Sequence, residues 1–157
     1  MFKKKNDRGF TLIELMIVIA VIGILAVVLV PKMAGVKDSA KYAGVTTNVK
    51  SVEAYVVANI DRWIKSGRTT ADVETLITTQ FTSDDNALIN PFGGTSTIIV
   101  GDSTTSGAEG AVLVKINSSS GKTTVEIEGY GAGTSPEVVH KATVTADGTL
   151  KTSSGGS

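Results

Sequence analysis

The chain has 157 residues and balances 15 basic side chains against 15 acidic ones, so its net charge gives no indication of a nucleic-acid-binding surface. It contains no cysteine, which excludes disulfide bonds and thiolate metal sites. The charge is unevenly placed: residues 1–9 carry four basic groups and one acidic group, and the remaining chain carries a net charge of −3.

A long apolar segment follows these basic residues. From Phe10 to Val30 every residue is apolar except Thr11 and Glu14. As an α-helix these 21 residues would be about 31 Å long, which matches the hydrocarbon thickness of a bilayer. Because the basic residues precede the segment, the positive-inside rule places the N-terminus in the cytoplasm and the polar bulk outside.

Two general interpretations of this segment leave part of it unexplained. A cleaved secretory signal needs a small-x-small site after the apolar run, but Lys32 and Met33 stand at the positions where a small residue is required. A plain single-pass anchor, with Glu14 reaching towards the interface, leaves the sequence "RGFTLIE" without a reason.

A third interpretation rests on the sequence "GFTLIE" at residues 9–14, which follows a basic leader and precedes an unbroken apolar helix. This N-terminus resembles the class III signal of type IV pilins and the related pseudopilins, over about the first 35 residues. The resemblance implies that residues 1–9 are a leader, which a prepilin peptidase removes between Gly9 and Phe10. It also implies that the same enzyme methylates the new amine of Phe10.

Cleavage at this position would explain Glu14. In a stack of apolar helices, each subunit brings one positive amine on Phe10 into a medium of low dielectric constant, and the carboxylate of a neighbouring Glu14 can neutralise it. A buried ion pair adds little net stability, but removing one partner costs roughly 3–5 kcal/mol. We therefore expect Glu14 to set the register of assembly.

Two residues predict weak points in the apolar helix. Pro31 cannot donate a helical hydrogen bond and disfavours helix at the preceding residue. Gly23 costs about 1 kcal/mol relative to alanine in a helix. We predict a kink at Pro31 in the single subunit and, from the resemblance, partial melting between Gly23 and Pro31 in a filament.

The helical pattern resumes after Pro31 with one apolar stripe. Steps of three and four residues connect the members of this stripe, which are Val45, Val49, Val52, Val56, Ile60 and Trp63. Gly67 is the expected stop. The sequence thus predicts one interrupted helix, with a membrane and polymerisation half over residues 10–35 and an amphipathic half over residues 36–67.

The remaining chain predicts an α+β pilin fold. Residues 68–96 form a connection that contains a short helix from Ala71 to Gln80, with Val73, Leu76 and Ile77 facing inwards. Residues 97–157 alternate strand-forming runs with glycine- and serine-rich turns, which predicts an antiparallel sheet of about four strands against the amphipathic half of the helix. The sequence "ADGTL" closes a last small hairpin, and the tail "KTSSGGS" is expected to be mobile.

The sequence offers no convincing catalytic or cofactor site. The "GKTT" and "GYGAGT" sequences lack glycines that phosphate- and dinucleotide-binding loops require. Asp84, Asp85 and Asn86 are too few oxygen ligands for calcium. His140 is the only histidine and is expected to be a hydrogen-bonded sheet residue. We therefore expect no cofactor, no metal and no enzymatic activity.

The resemblance predicts a major pilin, which is a structural subunit that polymerises with itself. It implies a cytoplasmic-membrane form that becomes a surface filament, with a prepilin peptidase, an assembly platform protein and an assembly ATPase as partners. A pseudopilin of a type II secretion or competence system is the alternative within the family. A single-pass membrane protein with an outer binding domain is the alternative outside it.

Overall fold

A computed structural model describes residues 10–29, 33–83, 85–119 and 122–155. The chain divides into two compact units, an N-terminal unit of Met1–Asp38 and a C-terminal unit of Ser39–Ser157. The two predicted halves of the long helix are both helical. Helix α1 spans Leu12–Leu29 and helix α2 spans Met33–Lys65, so the predicted kink at Pro31 lies outside the described residues.

Helix α2 ends where the sequence predicts. Gly67 has a φ of 67°, and its N–H donates to the carbonyl of Ile64 at 3.0 Å. The next N–H, of Arg68, donates to the carbonyl of Trp63 at 3.1 Å. This pair of bonds is a Schellman motif, which favours glycine because its central residue adopts a left-handed conformation.

The short helix in the connection, α3, spans Thr70–Thr82, one residue earlier and two residues later than predicted. It starts early because Thr69 caps it: the Thr69 side chain accepts a bond from the N–H of Asp72, and the Asp72 carboxylate accepts one from the N–H of Thr69. It ends late because Phe81 is buried together with Val73 and Ile77.

The C-terminal unit contains one mixed sheet of five strands, in the order β1-β2-β3-β4-β5. The strands are β1 Ile98–Gly101, β2 Val112–Ser119, β3 Lys122–Tyr130, β4 Val138–Thr145 and β5 Leu150–Ser154. The α+β class is therefore confirmed, while two details of the predicted sheet are wrong.

The first corrected detail is the direction of β1, which pairs in parallel with β2 instead of forming a hairpin with it. Residues 102–111 make two successive turns, in which Thr105 donates to the carbonyl of Asp102 and Ala111 to that of Ala108. They carry the chain back to the level at which β1 begins, so β2 runs alongside β1 in the same direction.

The second corrected detail is the tail. The turn before Leu150 closes a hairpin as predicted, but the chain then continues as β5 and pairs with β4 from Val144↔Leu150 to His140↔Ser154. The pairing satisfies the backbone groups of residues 150–154 that face β4, so this part of the tail is a fifth strand at the edge of the sheet. Every residue of β5 is exposed.

The apolar stripe of α2 covers one face of this sheet. All six residues of the stripe are at most 3% exposed, and Val49, Val52, Val56, Ile60 and Trp63 join strand residues such as Val125 and Ile127 in one core cluster. Helix and sheet approach closely at Gly129, where an added Cβ would lie 2.6 Å from side-chain atoms of both Val45 and Val49. Glycine at this strand position therefore lets the helix approach the sheet.

Candidate functional site

Helix α1 is the candidate assembly site because its apolar surface is entirely uncovered. All 18 of its residues are exposed in the single chain. At about 1.5 Å per residue the helix is roughly 27 Å long. Among the described residues it is the one helix long and apolar enough to cross a membrane, a property that anchors share with signal sequences near an N-terminus.

The first turn of α1 holds the one ionisable side chain in this helix, Glu14. Its Oε2 accepts a hydrogen bond from the backbone N–H of Thr11 at 2.8 Å and another from the Thr11 hydroxyl at 2.8 Å. In return, the N–H of Glu14 donates to Oγ1 of Thr11 at 3.3 Å. Thr11 and Glu14 thus form a reciprocal capping box that satisfies backbone donors at the helix start.

This arrangement uses only one of the two carboxylate oxygens. Both bonds from Thr11 go to Oε2, and Oε1 of Glu14 accepts none from the part of the chain that the structure describes. Phe10 lies next to the box and is 88% exposed. A second donor can therefore approach Oε1 from outside while Thr11 holds the carboxylate in place.

Thr11 is a site residue that our sequence reasoning did not identify. The signal was present, because threonine followed three residues later by glutamate at the start of an apolar run is a capping-box signature. The negative charge also lies near the positive end of the helix dipole. Glu14 is the acidic residue of the apolar run, and the hydroxyl that orients it belongs to the residue three positions earlier.

The other predicted site residues are not brought together by the fold. Gly23 lies within the continuous helix α1, and nothing lies within 4 Å of the position that its Cβ would occupy. Gly9 and Pro31 lie outside the described residues, so their predicted roles in cleavage and kinking stay predictions. The predicted methylation of Phe10 is equally untested.

The C-terminal unit carries a polar cluster on the sheet face opposite α2. Glu128, which is 6% exposed, accepts hydrogen bonds from Lys115 at 3.0 Å, Lys141 at 2.9 Å and the hydroxyl of Tyr130 at 2.9 Å. Burial raises the pKa of Glu128, but these three donors outweigh it and hold the pKa below its ordinary value. Burial and the bond to Glu128 raise the pKa of Tyr130 to about 12. The cluster links β2, β3 and β4.

His140 differs from its prediction as a hydrogen-bonded sheet residue. It lies in β4, but its buried Nε2 atom has no hydrogen-bond partner among the residues that the structure describes. The described residues include no group of three or more His, Cys, Asp or Glu side chains that could hold a metal ion.

Comparison with known proteins locates one family match in the N-terminal unit. Residues 4–30 match the model of the prokaryotic N-terminal methylation motif. The match includes Gly9, Phe10, Glu14 and Gly23 and ends immediately before Pro31. The capping box of Thr11 and Glu14 therefore lies inside the motif.

Curated relatives are similar over about a third of this chain. The type II secretion system core protein G of Klebsiella michiganensis is 40% identical over 52 residues, which is 33% of this chain and 37% of that protein. The type IV major pilin protein PilA of Myxococcus xanthus is 47% identical over 47 residues, covering 30% and 21%. The type IV narrow pilus major component PilA5 of Thermus thermophilus is 44% identical over 54 residues, covering 34% and 47%.

The chain thus spans between a fifth and a half of the length of these three relatives. No solved structure matches it significantly. The resemblance to type IV pilins and pseudopilins that the sequence predicts is confirmed for the N-terminal motif, and the comparisons include relatives of both kinds.

Proposed function

We propose that this chain is the major structural subunit of a type IV pilus. One observation carries the proposal: α1 is apolar on all sides, wholly exposed, and starts with a single oriented carboxylate inside a methylation motif. In the proposed filament the α1 helices bundle in the centre and the C-terminal units form the outer surface. The role is structural and not enzymatic.

The exposed surface of α1 requires two successive partners. Before assembly the helix spans the cytoplasmic membrane with its N-terminus inside, where lipid covers the apolar side chains. During assembly the α1 helices of other copies replace the lipid. Helix association in this environment depends on side-chain packing and on a few polar contacts, because lipid tails are as apolar as the helices.

Glu14 supplies the polar contact in this proposal. Thr11 holds Oε2 of Glu14 and leaves Oε1 open, so the amine that cleavage creates on Phe10 of a neighbouring copy can bind Oε1 without displacing Thr11. A copy inserted at another height leaves one amine and one carboxylate unpaired in an apolar medium, and such an unpaired charge costs roughly 3–5 kcal/mol. The pair therefore selects one register.

The motif also suggests the processing partners. A prepilin peptidase cleaves after Gly9 and methylates Phe10, and an assembly platform protein with its ATPase extracts the subunit from the membrane. During extraction or in the filament, residues between Gly23 and Pro31 lose helix. Unwound residues lengthen from a rise of about 1.5 Å to about 3.3 Å each, so melting lets the filament extend.

The proposal is tested by isolating surface filaments from cells that make the chain and measuring the intact subunit mass. We expect filaments whose subunits begin at a methylated Phe10. A Gly9→Leu variant should remain in the membrane as the full-length precursor, while a Lys4→Gln variant with an unchanged junction is the matched control. Filaments whose subunits keep residues 1–9, or the absence of filaments, would contradict the proposal.

A pseudopilin of a type II secretion system is the second candidate, because core proteins G are among the relatives. Major secretion pseudopilins tend to have an acidic, calcium-binding C-terminal loop. The sequence "VTADGTLKTSSGGS" lacks such an acidic cluster. Deleting the gene separates the two candidates, since loss of surface filaments supports a pilin and loss of protein secretion with filaments retained supports a pseudopilin.

A further inference from the structure

Strand β5 lies at one edge of the sheet and bonds to a single neighbouring strand, β4. The N–H of Thr145 donates to the carbonyl of Thr149 at 3.0 Å, and the N–H of Gly155 donates to the carbonyl of Val139 at 2.9 Å. In an antiparallel strand, the backbone groups of successive residues point alternately to the two sides. The odd-numbered residues from 149 to 155 therefore direct their backbone groups towards β4.

The even-numbered residues of β5 direct their backbone groups away from the sheet. Leu150, Thr152 and Ser154 each present an N–H donor and a C=O acceptor on this side, and none of these groups has a partner in the part of the chain that the structure describes. All three residues are exposed. An open edge of this kind can pair with a further strand.

Strand β1 leaves the opposite edge of the sheet open in the same way. The N–H of Val112 donates to the carbonyl of Thr97 at 3.0 Å, so the odd-numbered residues of β1 direct their backbone groups towards β2. The backbone groups of Ile98 and Val100 then point outwards, and no residue within the described ranges bonds to them. The C-terminal unit therefore has an open edge at each end of its strand order.

The two open edges run in opposite directions. Strand β1 is parallel to β2, and the three later pairings are all antiparallel, so β5 runs opposite to β1. Two copies that lie side by side in the same orientation would bring β5 of one against β1 of the next as an antiparallel pair. Such a contact between two different surfaces is heterologous and can be repeated from copy to copy, as an open helical assembly requires.

The side chains at the two edges lie on the same face of the sheet. Val144 and Val112 belong to the core cluster under α2, and their register partners are Leu150 in β5 and Ile98 in β1. Leu150 and Ile98 therefore lie on the face that carries the helices. Because directly opposite residues of an antiparallel pair project to one face, two sheets joined at these edges would keep their helices on the same side.

Leu150 favours one register for such a pair. It is the one large apolar side chain of β5 and is 39% exposed. Placed opposite Val100 of a neighbouring copy, it would lose contact with water against an aliphatic side chain. This register also sets Thr152 opposite Ile98. Each of these two pairs joins outward-pointing backbone groups, so each can exchange two N–H···O=C bonds.

We propose that β5 of one copy pairs antiparallel with β1 of a neighbouring copy, so that the sheets of adjacent C-terminal units join edge to edge along the filament. The inference rests on the proposed function, since the partner strand belongs to a second copy of this chain.

The proposed contact is small and depends on α1. It consists of a few backbone bonds and one apolar pair, and Lys151 lies at the same edge, where a lysine opposes unwanted pairing. Copies that α1 already holds together present their edges to each other at a high effective concentration. The edges therefore pair within a filament, while separate C-terminal units stay apart in solution.

Cysteine cross-linking in assembled filaments tests the pairing, because the natural chain contains no cysteine. The test variant is full-length Lys151→Cys/Ile99→Cys. In the proposed register these residues form a non-hydrogen-bonded pair with Cα atoms about 4.5 Å apart, which suits a disulfide. Within one copy they lie four strand spacings apart, or about 19 Å, which prevents an intramolecular bond.

The matched control is Lys151→Cys/Lys122→Cys. Lys122 is exposed, as Lys151 is, but it lies in the central strand β3, which is paired on both sides. A cysteine at this position therefore tests for collisions between exposed thiols that do not require an open edge.

We expect oxidised filaments of the test variant to give a ladder of covalent multimers on a non-reducing gel. The control pair and Lys151→Cys alone should give mainly monomers. Filaments of the test variant that cross-link no more than the control would overturn the inference. Equal cross-linking by Lys151→Cys alone would also overturn it, since β5 would then pair with β5 of another copy. Absence of filaments from the natural chain would instead contradict the proposed function.

Hydrogen exchange of the natural chain covers the case in which the cysteine pair does not assemble. The experiment compares the detergent-solubilised subunit with filaments. The outward amides of β5 and β1 are open in the single chain, so their exchange should slow at least about tenfold in filaments. These amides belong to Leu150, Thr152, Ser154, Ile98 and Val100. Unchanged exchange, or slower exchange in only one of the two strands, would overturn the inference.

Discussion

Helices α1 and α2 use the same kinds of apolar residues in opposite ways. In α1, valine, isoleucine and leucine cover the whole circumference and none of these side chains is buried. In α2 they form one stripe, and the fold of the same chain buries that stripe completely. The apolar surface of α2 is therefore used for folding, whereas that of α1 stays exposed in the single chain.

The chain contains the same capping box twice, which sharpens this contrast. In α3, Thr69 and Asp72 form reciprocal bonds at 2.8–3.2 Å, and in α1 Thr11 and Glu14 form the same bonds at 2.8–3.3 Å. The α3 box starts a helix that packs into a core. The α1 box starts a helix whose residues are all exposed in the single chain. Its glutamate is the one charged side chain of that helix, so the box also fixes the position of this charge.

Of the changes considered, removal of α1 should have the largest effect, which is on the solubility of the chain. We expect residues 40–157 alone to form a soluble, folded monomer, because all the described core residues lie in the C-terminal unit. Light scattering after gel filtration and a cooperative thermal transition by circular dichroism measure this. The full-length chain in the same buffer without detergent is the control and should sediment, whereas aggregation of the fragment would contradict the division.

Changing Glu14 to alanine should nearly abolish assembly while leaving the subunit in the membrane. We expect the yield of sheared filaments to fall at least about tenfold, since a neighbour's amine would then be buried without a partner at a cost of roughly 3–5 kcal/mol. Glu14→Gln should be impaired as well, because it keeps the shape and loses the charge. If either variant gave as many filaments as the natural chain, Glu14 would not set the register of assembly.

An isoleucine-to-alanine change should affect the two units differently. Ile127 is fully buried in the sheet, so Ile127→Ala in the 40–157 fragment should lower the free energy of unfolding by about 2–5 kcal/mol. Ile17 is 58% exposed in α1, and Ile17→Ala in the full-length chain should leave the unfolding of the C-terminal unit unchanged. Urea titrations followed by Trp63 fluorescence compare each variant with its unsubstituted parent, and detergent keeps the full-length chain in solution. Equal effects would mean that α1 contributes to the same core.

The smallest expected effect concerns Glu128 and pH. Glu128→Gln should lower the free energy of unfolding by about 1–3 kcal/mol at neutral pH, because bonds from two lysines lose their charged acceptor. The folded pKa of Glu128 lies below its ordinary value of 4.5. Its contribution is thus present above about pH 4.5 and is lost as the pH falls through the lower folded value.

Urea titrations of the 40–157 fragment between pH 7 and pH 3 measure this contribution. The variant should lack that part of the pH dependence. Glu126→Gln is the matched control, since Glu126 is more exposed and makes one ion pair, at 3.4 Å to Lys141. If the free energy of unfolding falls equally in both variants, the buried bonds of Glu128 stabilise the fold no more than the exposed ion pair of Glu126.

Residue patterns predicted the helices and the core well. The three- and four-residue steps from Val45 to Trp63 predicted the buried stripe, and Gly67 predicted the helix end. These features depend on local chemistry that a single sequence contains. The direction of β1 was not predictable in this way, because it depends on where residues 102–111 lead the chain.

The polar details were harder to predict for the same reason. In the sequence, Glu126 and Glu128 alternate with Val125 and Ile127, which is typical of a strand with one buried and one solvent-exposed face. Glu128 departs from that pattern, because it is only 6% exposed. That burial requires Lys115 and Lys141 from the strands on either side, which only the register brings close. Thr11 is the exception, since its spacing to Glu14 was readable as a capping box and only its orienting role was missed.

The order of the strands has a consequence for the speed of folding. Strands β3, β4 and β5 each pair with the strand that precedes them, through connections of 2 to 7 residues. Short connections lose little entropy when they close, and chains dominated by such near-neighbour pairings cross their folding barrier quickly. The parallel docking of β1 needs the longer crossover of residues 102–111 and is expected to come late. The C-terminal unit can therefore form its central hairpins one after another, in the order in which the chain is synthesised.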